Sequence, residues 1–369
     1  MSTPSWRTLL VRYGELGIKS PGVRNRFEKR LASNIEDAFL ARGIEGAVLR
    51  EWGRFYVQTR DVDGALAVLT RTFGLVSVSP AEEVPADLPT LCAHMAERSR
   101  ALLAPGQSYA VRARRTGEQS FTSMDAQREV GAAIMVANRE KNLRVDLSTP
   151  DMEFFLEIRP DKAYFYQEVY PGPGGLPLGT QGRVTALLDG PESALAVWLT
   201  MRRGCTVLPL ALSPVSADLQ AALEALSQWA PAMKIVTVPV PETVKGPEAR
   251  RRFGLEVMRR FTRGRRGHAI VVEDDFRGAA RFAHLDEAAG SLPLFRPLVG
   301  FTGGRRERLI DALGIRDLLA NARAARANEE REAPVPEEIG DLARDALRTA
   351  STFTIEGGRA SGPLGEAVQ

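Results

Sequence analysis

The sequence contains few of the residues that build metal centres and disulfide frameworks. Its 369 residues include only two cysteines, Cys92 and Cys205, and three histidines, His94, His268 and His284. Two cysteines exclude a disulfide-rich scaffold and any four-cysteine zinc or iron–sulfur cluster. The histidines are too scattered along the chain to form a ligand or catalytic motif. We therefore expect no metal centre and no iron–sulfur cluster.

Long apolar runs are also missing. No stretch approaches the ~18 consecutive apolar residues of a membrane span, and residues 1–12 lack the apolar segment of a secretory signal. Hydrophobic residues make up 44% of the chain and charged residues 26%, which is ordinary for a globular protein. We expect a cytoplasmic protein of two or three domains without membrane contact.

Lysine is scarce among the basic residues, since only six of the 49 are lysine and the others are arginine. Arginine makes bidentate contacts to phosphate, so its clusters are typical of nucleic-acid binding. An arginine-rich proteome would give the same bias. The densest cluster is either a contact to a nucleic-acid backbone or a solvated helix face, and its members are Arg250, Arg251, Arg252, Arg259, Arg260, Arg263, Arg265 and Arg266.

Hydrophobic patterns divide the chain into folded units. Residues 1–79 follow the order β-α-β-β-α-β of a ferredoxin-like unit, and a second α/β unit covers 80–171. A Pro/Gly-rich linker at 172–182 follows. Over 183–321 buried strands alternate with helices, which predicts a doubly wound parallel sheet whose ligands bind beyond the carboxyl ends of its strands. The composition of 322–369 predicts a partly helical, partly disordered tail.

Five sequence blocks carry a resemblance to one family. They lie at residues 12–19, 146–151, 172–188, 198–204 and 294–300. With these blocks, about residues 7–320 of the chain resemble the tRNA 4-thiouridine synthetases, also called tRNA sulfurtransferases. The resemblance implies a multidomain α/β fold. Its three parts would be the N-terminal ferredoxin-like domain, a THUMP domain at 80–171, and a PP-loop ATP-pyrophosphatase domain of the adenine nucleotide alpha hydrolase type.

The resemblance also implies ATP-dependent adenylation of a uridine in tRNA, with ATP and Mg²⁺ as cofactors. The family's phosphate-binding loop, Ser-Gly-Gly-x-Asp-Ser, corresponds here to a stretch that is one residue shorter, from Asp189 to Ser193. Gly190 and Ser193 match the family loop, and Glu192 stands at its acidic position. Asp189 adds a negative charge, and Pro191 contributes no N–H donor. These changes argue against triphosphate binding.

A later family block falls on residues 273–284, where Asp274 replaces a glycine that faces the nucleotide and only Gly278 and the acid Asp275 survive. No cysteine follows Cys205, so the family's sulfur-relay cysteine has no counterpart. The sequence therefore predicts a tRNA-binding THUMP protein with an inactive or altered ATP site. The alternative is an active synthetase that takes sulfur from another protein.

Carried over residue by residue, the resemblance implies two sets of site residues. The nucleotide-binding candidates are Leu187, Leu188, Gly190, Ser193, Arg252, Asp274 and Gly278. The tRNA-binding candidates are Arg112, Arg114, Arg115 and Lys162 in the THUMP segment, with Lys19, Arg24 and Arg26 on the N-terminal helix. The alternative for Gly190 and Ser193 is an ordinary turn capped by serine. The alternative for the acidic stretch at 273–275 is a solvated loop, and for the basic residues it is a solvated face. Expected partners are tRNA, a sulfur-donor or modification enzyme, and a second copy in a homodimer.

Overall fold

The computed structural model describes residues 7–51, 53–230, 233–274, 286, 289–320, 336–356 and 359–361. The chain forms two compact units. The first comprises residues 1–12, 45–70 and 76–171, and the second comprises residues 13–44, 71–75 and 172–369. The predicted position 278 and the acid at 275 lie outside the described residues.

The first unit is built on a sheet with strand order β2-β3-β1-β4-β8-β7-β5-β6, and β9 pairs with β4. The strands are β1 (Arg7–Tyr13), β2 (Gly46–Glu51), β3 (Arg54–Thr59), β4 (Leu75–Pro85), β5 (Ser108–Arg115), β6 (Arg144–Val145), β7 (Met152–Ile158), β8 (Lys162–Tyr166) and β9 (Tyr170–Pro171). The helices that follow these strands along the chain are α1 (Pro21–Ala41), α2 (Val62–Leu69), α3 (Leu88–Leu102) and α4 (Ser123–Ala137). Helix α1 lies between β1 and β2 in sequence but belongs to the second unit. The ferredoxin-like order is confirmed, and the predicted boundary after residue 79 falls inside β4.

Two faces of this sheet have different cores. Apolar residues of β5, β7 and β8, such as Val111, Phe154 and Phe165, pack with residues of α3 and α4. A capping box at Thr122 and Asp125 starts α4. The opposite face holds a smaller cluster in which residues of β1, β3, β4 and β8 meet without a helix. Strand alternation places Ser108, Arg112 and Arg114 of β5 on this second face.

The second face is concave. The ring of Tyr56 on β3 stacks on that of Tyr164 on β8 at 4.9 Å, although three strand spacings, about 14 Å in a flat sheet, separate the two strands. Arg54 Nε also lies 2.8 Å from Glu157 Oε1 on β7. The sheet therefore curls until its ferredoxin-like and THUMP strands contact each other across the concave face.

The second unit contains a sheet of order β14-β13-β10-β11-β12-β15-β16. Its strands are β10 (Arg183–Leu188), β11 (Thr206–Ser213), β12 (Met233–Pro239), β13 (Ile270–Val271), β14 (Leu294–Phe295), β15 (Ser351–Glu356) and β16 (Arg359–Ser361). Its helices are α5 (Pro191–Arg202), α6 (Ala217–Ser227), α7 (Pro247–Gly264), α8 (Gly303–Leu313) and α9 (Ile339–Arg348). The first five strands are parallel.

Helices cover both faces of this parallel sheet, as the doubly wound pattern predicts. Residues of α5, α6 and α8 belong to one apolar cluster, and residues of α7 and α9 belong to the other. Leu188 at 0% exposure lies in the first cluster, whereas its neighbour Leu187 packs with the second. A Cβ at Gly254 of α7 would lie 2.8 Å from Leu187 Cδ2, so α7 approaches β10 closely. The predicted fold class is confirmed.

Part of the predicted tail belongs to the sheet of the second unit. β15 pairs antiparallel with β12, from Met233↔Ile355 to Thr237↔Ser351, and β16 extends the sheet further. These residues complete the second unit instead of forming a tail. Local composition missed them because strand pairing with β12 joins residues more than 100 positions apart, and the surrounding sequence is polar.

Candidate functional site

The parallel strand order reverses between β13 and β10, and this switch point defines a crevice at the carboxyl edge of the sheet. Asp189 and Gly190 follow β10, and Glu273 and Asp274 follow the end of β13 by two and three residues. The structure thus brings together the two segments that the sequence analysis assigned to nucleotide binding. We call this place the switch-point crevice.

The loop after β10 is closed on itself. Ser193 Oγ accepts hydrogen bonds from the backbone N–H of Asp189 at 3.1 Å and of Gly190 at 3.2 Å. The same hydroxyl donates to the Gly190 carbonyl at 2.6 Å. Ser193 is 1% exposed, and Pro191 has no N–H. The two backbone donors that would face an anion are therefore occupied by a side chain of the loop itself.

Acidic side chains in the crevice are paired with arginines. Asp274, which is buried, forms an ion pair with Arg251 of α7, and its Oδ2 lies 3.8 Å from Arg296 Nε. Arg250 Nε lies 3.8 Å from Asp189 Oδ1. This arrangement neutralises the carboxylates that stand where the family pattern has neutral residues.

A further ion pair links α5 to α8. Arg306 donates to Glu192 Oε1 at 2.9 Å, and both side chains are largely buried. Glu192 occupies the acidic position of the loop motif. Because it is paired with Arg306, its charge is engaged within the protein. Neither Arg296 nor Arg306 is among the site residues predicted from the sequence. Arg296 lies in the sequence block 294–300 and directly follows β14, which is the signal that could have found it. Arg306 lies in the first turns of α8, and its position there is its signal.

The other nucleotide-binding candidates lie apart from the crevice or in the core. Leu187 and Leu188 are packing residues of β10. Arg252 is exposed and pairs with Glu248 one turn earlier at 3.1 Å, while its neighbours Arg250 and Arg251 reach the crevice. Within the described ranges, no group of three or more His, Cys, Asp or Glu side chains is arranged to hold a metal ion. In the described part of the crevice, protein groups engage the loop N–H donors and the carboxylates of Asp189 and Asp274.

The cysteines show no sign of a reactive thiolate. Burial raises the pKa of the Cys205 thiol, and Cys205 Sγ donates to the Gln181 carbonyl at 3.7 Å. Burial also raises the pKa of Cys92, with Glu129 adding to the effect. A nucleophilic cysteine needs a lowered pKa, so neither residue has the environment of a sulfur carrier.

The THUMP candidates lie on β5 and β8 of the first unit. Arg112 Nε pairs with Glu153 at 2.9 Å and its Nη2 donates to the Leu147 carbonyl at 2.7 Å. Arg114 is exposed two residues further along the same strand face. Lys162 lies 3.4 Å from Glu83 and above the ring of Tyr164, 5.5 Å from its centroid.

The three candidate arginines of β5, Arg112, Arg114 and Arg115, do not share one strand face. Adjacent strand residues point to opposite faces, so Arg115 lies on the other side of β5. Its Nη1 donates to the Gly117 carbonyl at 2.6 Å and to Gln119 Oε1 at 3.0 Å. Arg115 therefore holds the following turn.

The candidates near the N-terminus lie in the second unit. Lys19 ends a short 3-10 helix before α1. Arg24 donates to the carbonyls of Gly17 at 2.5 Å and Lys19 at 3.4 Å, which fixes this turn. Arg26 is exposed on α1 with its guanidinium 5.6 Å from the ring centroid of Phe27.

Comparison with known proteins matches this architecture. The family model of the ThiI ferredoxin-like domain matches residues 8–79, and that of the THUMP domain matches residues 95–168. A probable tRNA sulfurtransferase of Methanosarcina acetivorans is 40% identical over 257 residues, 67% of this chain and 61% of that protein. A second, from Methanosarcina mazei, is 38% identical over 253 residues, 66% of this chain and 62% of that protein. The chain thus spans less than two thirds of these curated relatives.

Solved structures agree with the fold. The crystal structure of a Pyrococcus horikoshii protein is 28% identical with a TM-score of 0.70, and the match covers 84% of this chain and 99% of that one. A crystal structure of a 4-thiouridine synthetase–RNA complex with bound ATP is 20% identical with a TM-score of 0.75. That match covers 95% of this chain and 100% of that one, and it concerns the fold alone.

These findings define a class of protein, in which ferredoxin-like and THUMP domains precede a doubly wound parallel-sheet domain. Within that class, the chain is similar to the tRNA sulfurtransferases over about two thirds of its own length, and the resemblance of its sequence blocks to that family is confirmed. No helix among the described residues is long and apolar enough to cross a membrane.

Proposed function

We propose that this protein binds tRNA through its THUMP unit and that its switch-point crevice no longer adenylates RNA. The closed loop after β10 is the observation that supports the loss of adenylation, because Ser193 Oγ already accepts hydrogen bonds from the N–H groups of Asp189 and Gly190. A phosphate group would have to break these bonds and approach the carboxylate of Asp189. Each unmade charge-assisted hydrogen bond costs roughly 1.5–3 kcal/mol of binding.

The RNA-binding part is supported by the THUMP family match and by the cationic face of β5. Arg112 and Arg114 stand two residues apart on one strand face, which suits contacts to successive phosphates or riboses of an RNA end. The relatives named tRNA sulfurtransferase make tRNA the preferred ligand. A sulfur-donor or modification enzyme as a protein partner, and a homodimer, belong to the same proposal.

An active 4-thiouridine synthetase with an external sulfur donor is the second candidate function. It is favoured by the retained Gly190 and Ser193 at the switch point and by the relatives that carry the sulfurtransferase name at about 40% identity. It requires ATP to open the loop after β10 and a partner protein to deliver sulfur, because Cys205 is buried.

Paired titrations of the whole protein, one with tRNA and one with Mg·ATP, separate the two candidates. We expect tRNA to bind with a dissociation constant in the micromolar range or below, and Mg·ATP to show no binding heat. tRNA affinity should also fall steeply between low and high salt, because phosphate contacts release counterions. ATP binding that strengthens when tRNA is present would instead support the active enzyme and contradict the altered-site proposal.

The THUMP surface is tested by Arg114→Glu, with Arg128→Glu as the matched control in the same unit. Arg128 is an exposed residue of α4, on the helical side of the sheet. We expect Arg114→Glu to weaken tRNA binding roughly tenfold or more by replacing attraction to phosphate with repulsion. Arg128→Glu should change the affinity less than twofold. Equal effects of the two variants in filter binding would show that the β5 face is not the contact surface.

A further inference from the structure

The second unit carries exposed basic side chains at the amino edge of its parallel sheet, opposite to the switch-point crevice. α7 runs from the carboxyl edge after β12 back to the amino edge before β13, and Arg263, Arg265 and Arg266 are exposed at its end. Arg183 begins β10 at the same edge and is exposed, and its carbonyl accepts a hydrogen bond from the N–H of His268 at 2.9 Å.

Helix α1 lies along the same edge. Arg30 Nε and Asn34 Nδ2 both donate to the carbonyl of Leu178, at 2.9 and 3.1 Å. Near the end of α1, the guanidinium of Arg42 donates to the carbonyl of Gln228 at 3.2 Å. Leu178 precedes β10 and Gln228 caps the end of α6, so both acceptors belong to the amino edge.

The basic residue Arg30 of α1 and the residues that follow α7 flank the same short segment, residues 179–182. A Cβ at Gly179 would lie 2.8 Å from Arg30 Nε, and a Cβ at Gly182 would lie 2.9 Å from Nδ1 of His268. Three residues of chain span at most about 11 Å, so side chains far apart in sequence form one surface. We call it the amino-edge basic surface, and its members are Arg26, Lys29, Arg30, Arg183, Arg203, Arg263, Arg265 and Arg266.

Among the described residues, one carboxylate lies within ion-pair distance of a member of this surface. Arg203, 70% exposed, lies 3.9 Å from Glu15, and Glu28 of α1 accepts a short hydrogen bond from the Tyr13 hydroxyl. Arg263 donates to the hydroxyl of Ser291, a neutral partner. The amino-edge basic surface therefore attracts a polyanion, and its arginines keep donors directed to solvent.

We propose that the amino-edge basic surface binds the sugar–phosphate backbone of double-helical RNA. The inference rests on the proposed RNA-binding function and adds a second contact area on the other unit. Arginine forks suit phosphate oxygens, and backbone contacts dominate duplex RNA recognition. Binding of a single strand would require exposed aromatic rings on which bases stack. Among the described residues, the exposed large apolar side chains include one aromatic, Phe295 on β14. The surface therefore suits a duplex better than a single strand.

The backbone at Arg266 provides a second observation. Its φ of +52° places it in the left-handed region, at the position after the C-cap of α7 where glycine is usual. The Gly267 N–H donates to the Thr262 carbonyl at 2.9 Å, which closes the Schellman motif. The chain thus keeps a cation on this surface at a position where the backbone favours glycine.

The test compares two double variants of the full chain that remove the same charge. Arg263→Ala with Arg265→Ala alters the surface, and Arg344→Ala with Arg348→Ala alters exposed arginines of α9. The affinity for tRNA and for a blunt RNA duplex is measured against salt concentration. We expect the first variant to lower the salt slope by about 2 and to weaken binding at least tenfold at low salt. The α9 variant should stay within twofold of wild type.

Arg266→Gly separates binding from folding. Glycine suits the left-handed backbone, so the melting temperature should stay equal or rise. RNA affinity should fall, and its dependence on salt concentration should have a slope lower by about 1. Wild-type affinity and slope in both Arg266→Gly and the first double variant would overturn the inference. Equal losses in the α9 control would also overturn it, because the effect would then follow net charge alone.

The remaining outcomes distinguish this inference from the proposed function. If wild-type protein binds no tRNA, both fail. If Arg114→Glu weakens tRNA binding and the Arg263/Arg265 double variant does not, the THUMP surface stands and the amino-edge surface is wrong. If the double variant instead loses binding to phosphatidylserine vesicles and keeps its RNA affinity, the surface recognises a membrane and the RNA proposal is overturned.

Discussion

At the scale of single residues, Glu157 shows how a charge is kept inside the concave face of the first unit. Its Oε1 accepts hydrogen bonds from Arg54 at 2.8 Å and from Arg159 at 2.6 Å, and Arg12 lies 3.9 Å from Oε2. Burial by itself raises the pKa of a carboxyl, but the hydrogen bonds and charges of Arg54 and Arg159 outweigh it, so the pKa of Glu157 is lowered. The carboxylate therefore joins β3, on the ferredoxin-like side, to β7, on the THUMP side.

Glu157→Gln should lower the free energy of unfolding at pH 7 by about 3 kcal/mol, because the buried guanidinium groups lose their counterion. A lowered folded-state pKa gives stability that is present above the unfolded-state value, near 4.3, and is lost as pH falls through the folded-state pKa. Wild-type stability should therefore decline below about pH 4, and the Gln variant should decline less. Urea unfolding across this pH range measures both effects.

Glu153→Gln is the matched control for this prediction. Glu153 precedes Glu157 by four residues on the same strand face but is 39% exposed, with Arg112 as its partner. An exposed pair contributes about 0–1 kcal/mol, so this variant should unfold almost as wild type does. Similar losses in the two variants would contradict the special role of the buried carboxylate.

At the scale of elements, residues 172–182 show that a Pro/Gly-rich stretch can be tightly packed. Gly174 exchanges hydrogen bonds with residues 74 and 75, and Leu176 N–H donates to the Arg202 carbonyl at the end of α5. Gly179 and Gln181 both donate to the Gly204 carbonyl. The predicted linker is thus held along the second unit, and its glycines serve close approach and left-handed backbone.

Gly175→Ala should destabilise the second unit by more than about 3 kcal/mol. Gly175 has a φ of +77°, and a Cβ there would lie 2.1 Å from the Arg202 carbonyl oxygen, a backbone atom that cannot move aside easily. Left-handed backbone alone costs a side chain roughly 1–2 kcal/mol, and the collision adds to it.

Gly174→Ala is the control, since Gly174 has a similar φ of +66° but a Cβ there would lie 3.8 Å from Arg202 Nη2, at ordinary van der Waals distance. Gly174→Ala should lower the free energy of unfolding only by the cost of left-handed backbone, roughly 1–2 kcal/mol. Chemical denaturation of both variants measures the difference, and equal costs would mean that the segment can shift away from α5.

At the scale of the whole molecule, sequence patterns predicted the fold well where the signal was local. The alternation of buried strands and helices after residue 183 predicted the doubly wound sheet, and the order β-α-β-β-α-β predicted the ferredoxin-like strands. The predicted boundary at 79 lies inside β4, and part of the predicted tail after 322 forms β15. Both differences arise because β4 and β15 pair with strands that are distant in sequence.

The sequence by itself determined the location of the altered loop. Asp189, Pro191 and Ser193 are readable as a short turn between a buried strand and a helix, because strand and helix periods are local properties. The likeness to the tRNA sulfurtransferases was equally readable, since sequence blocks carry it.

The tertiary structure alone decided which charges meet. Glu192 and Arg306 are 114 residues apart, and α1 and the end of α7 are separated by more than 200 residues, yet packing at the two edges of one sheet makes them neighbours. The sequence shows how many arginines there are. Only the fold places Arg251, Arg296 and Arg306 where they neutralise acidic side chains of the crevice. It places Arg263, Arg265 and Arg266 at the opposite edge. The reason is that a helix connecting two parallel strands runs from one edge of the sheet to the other.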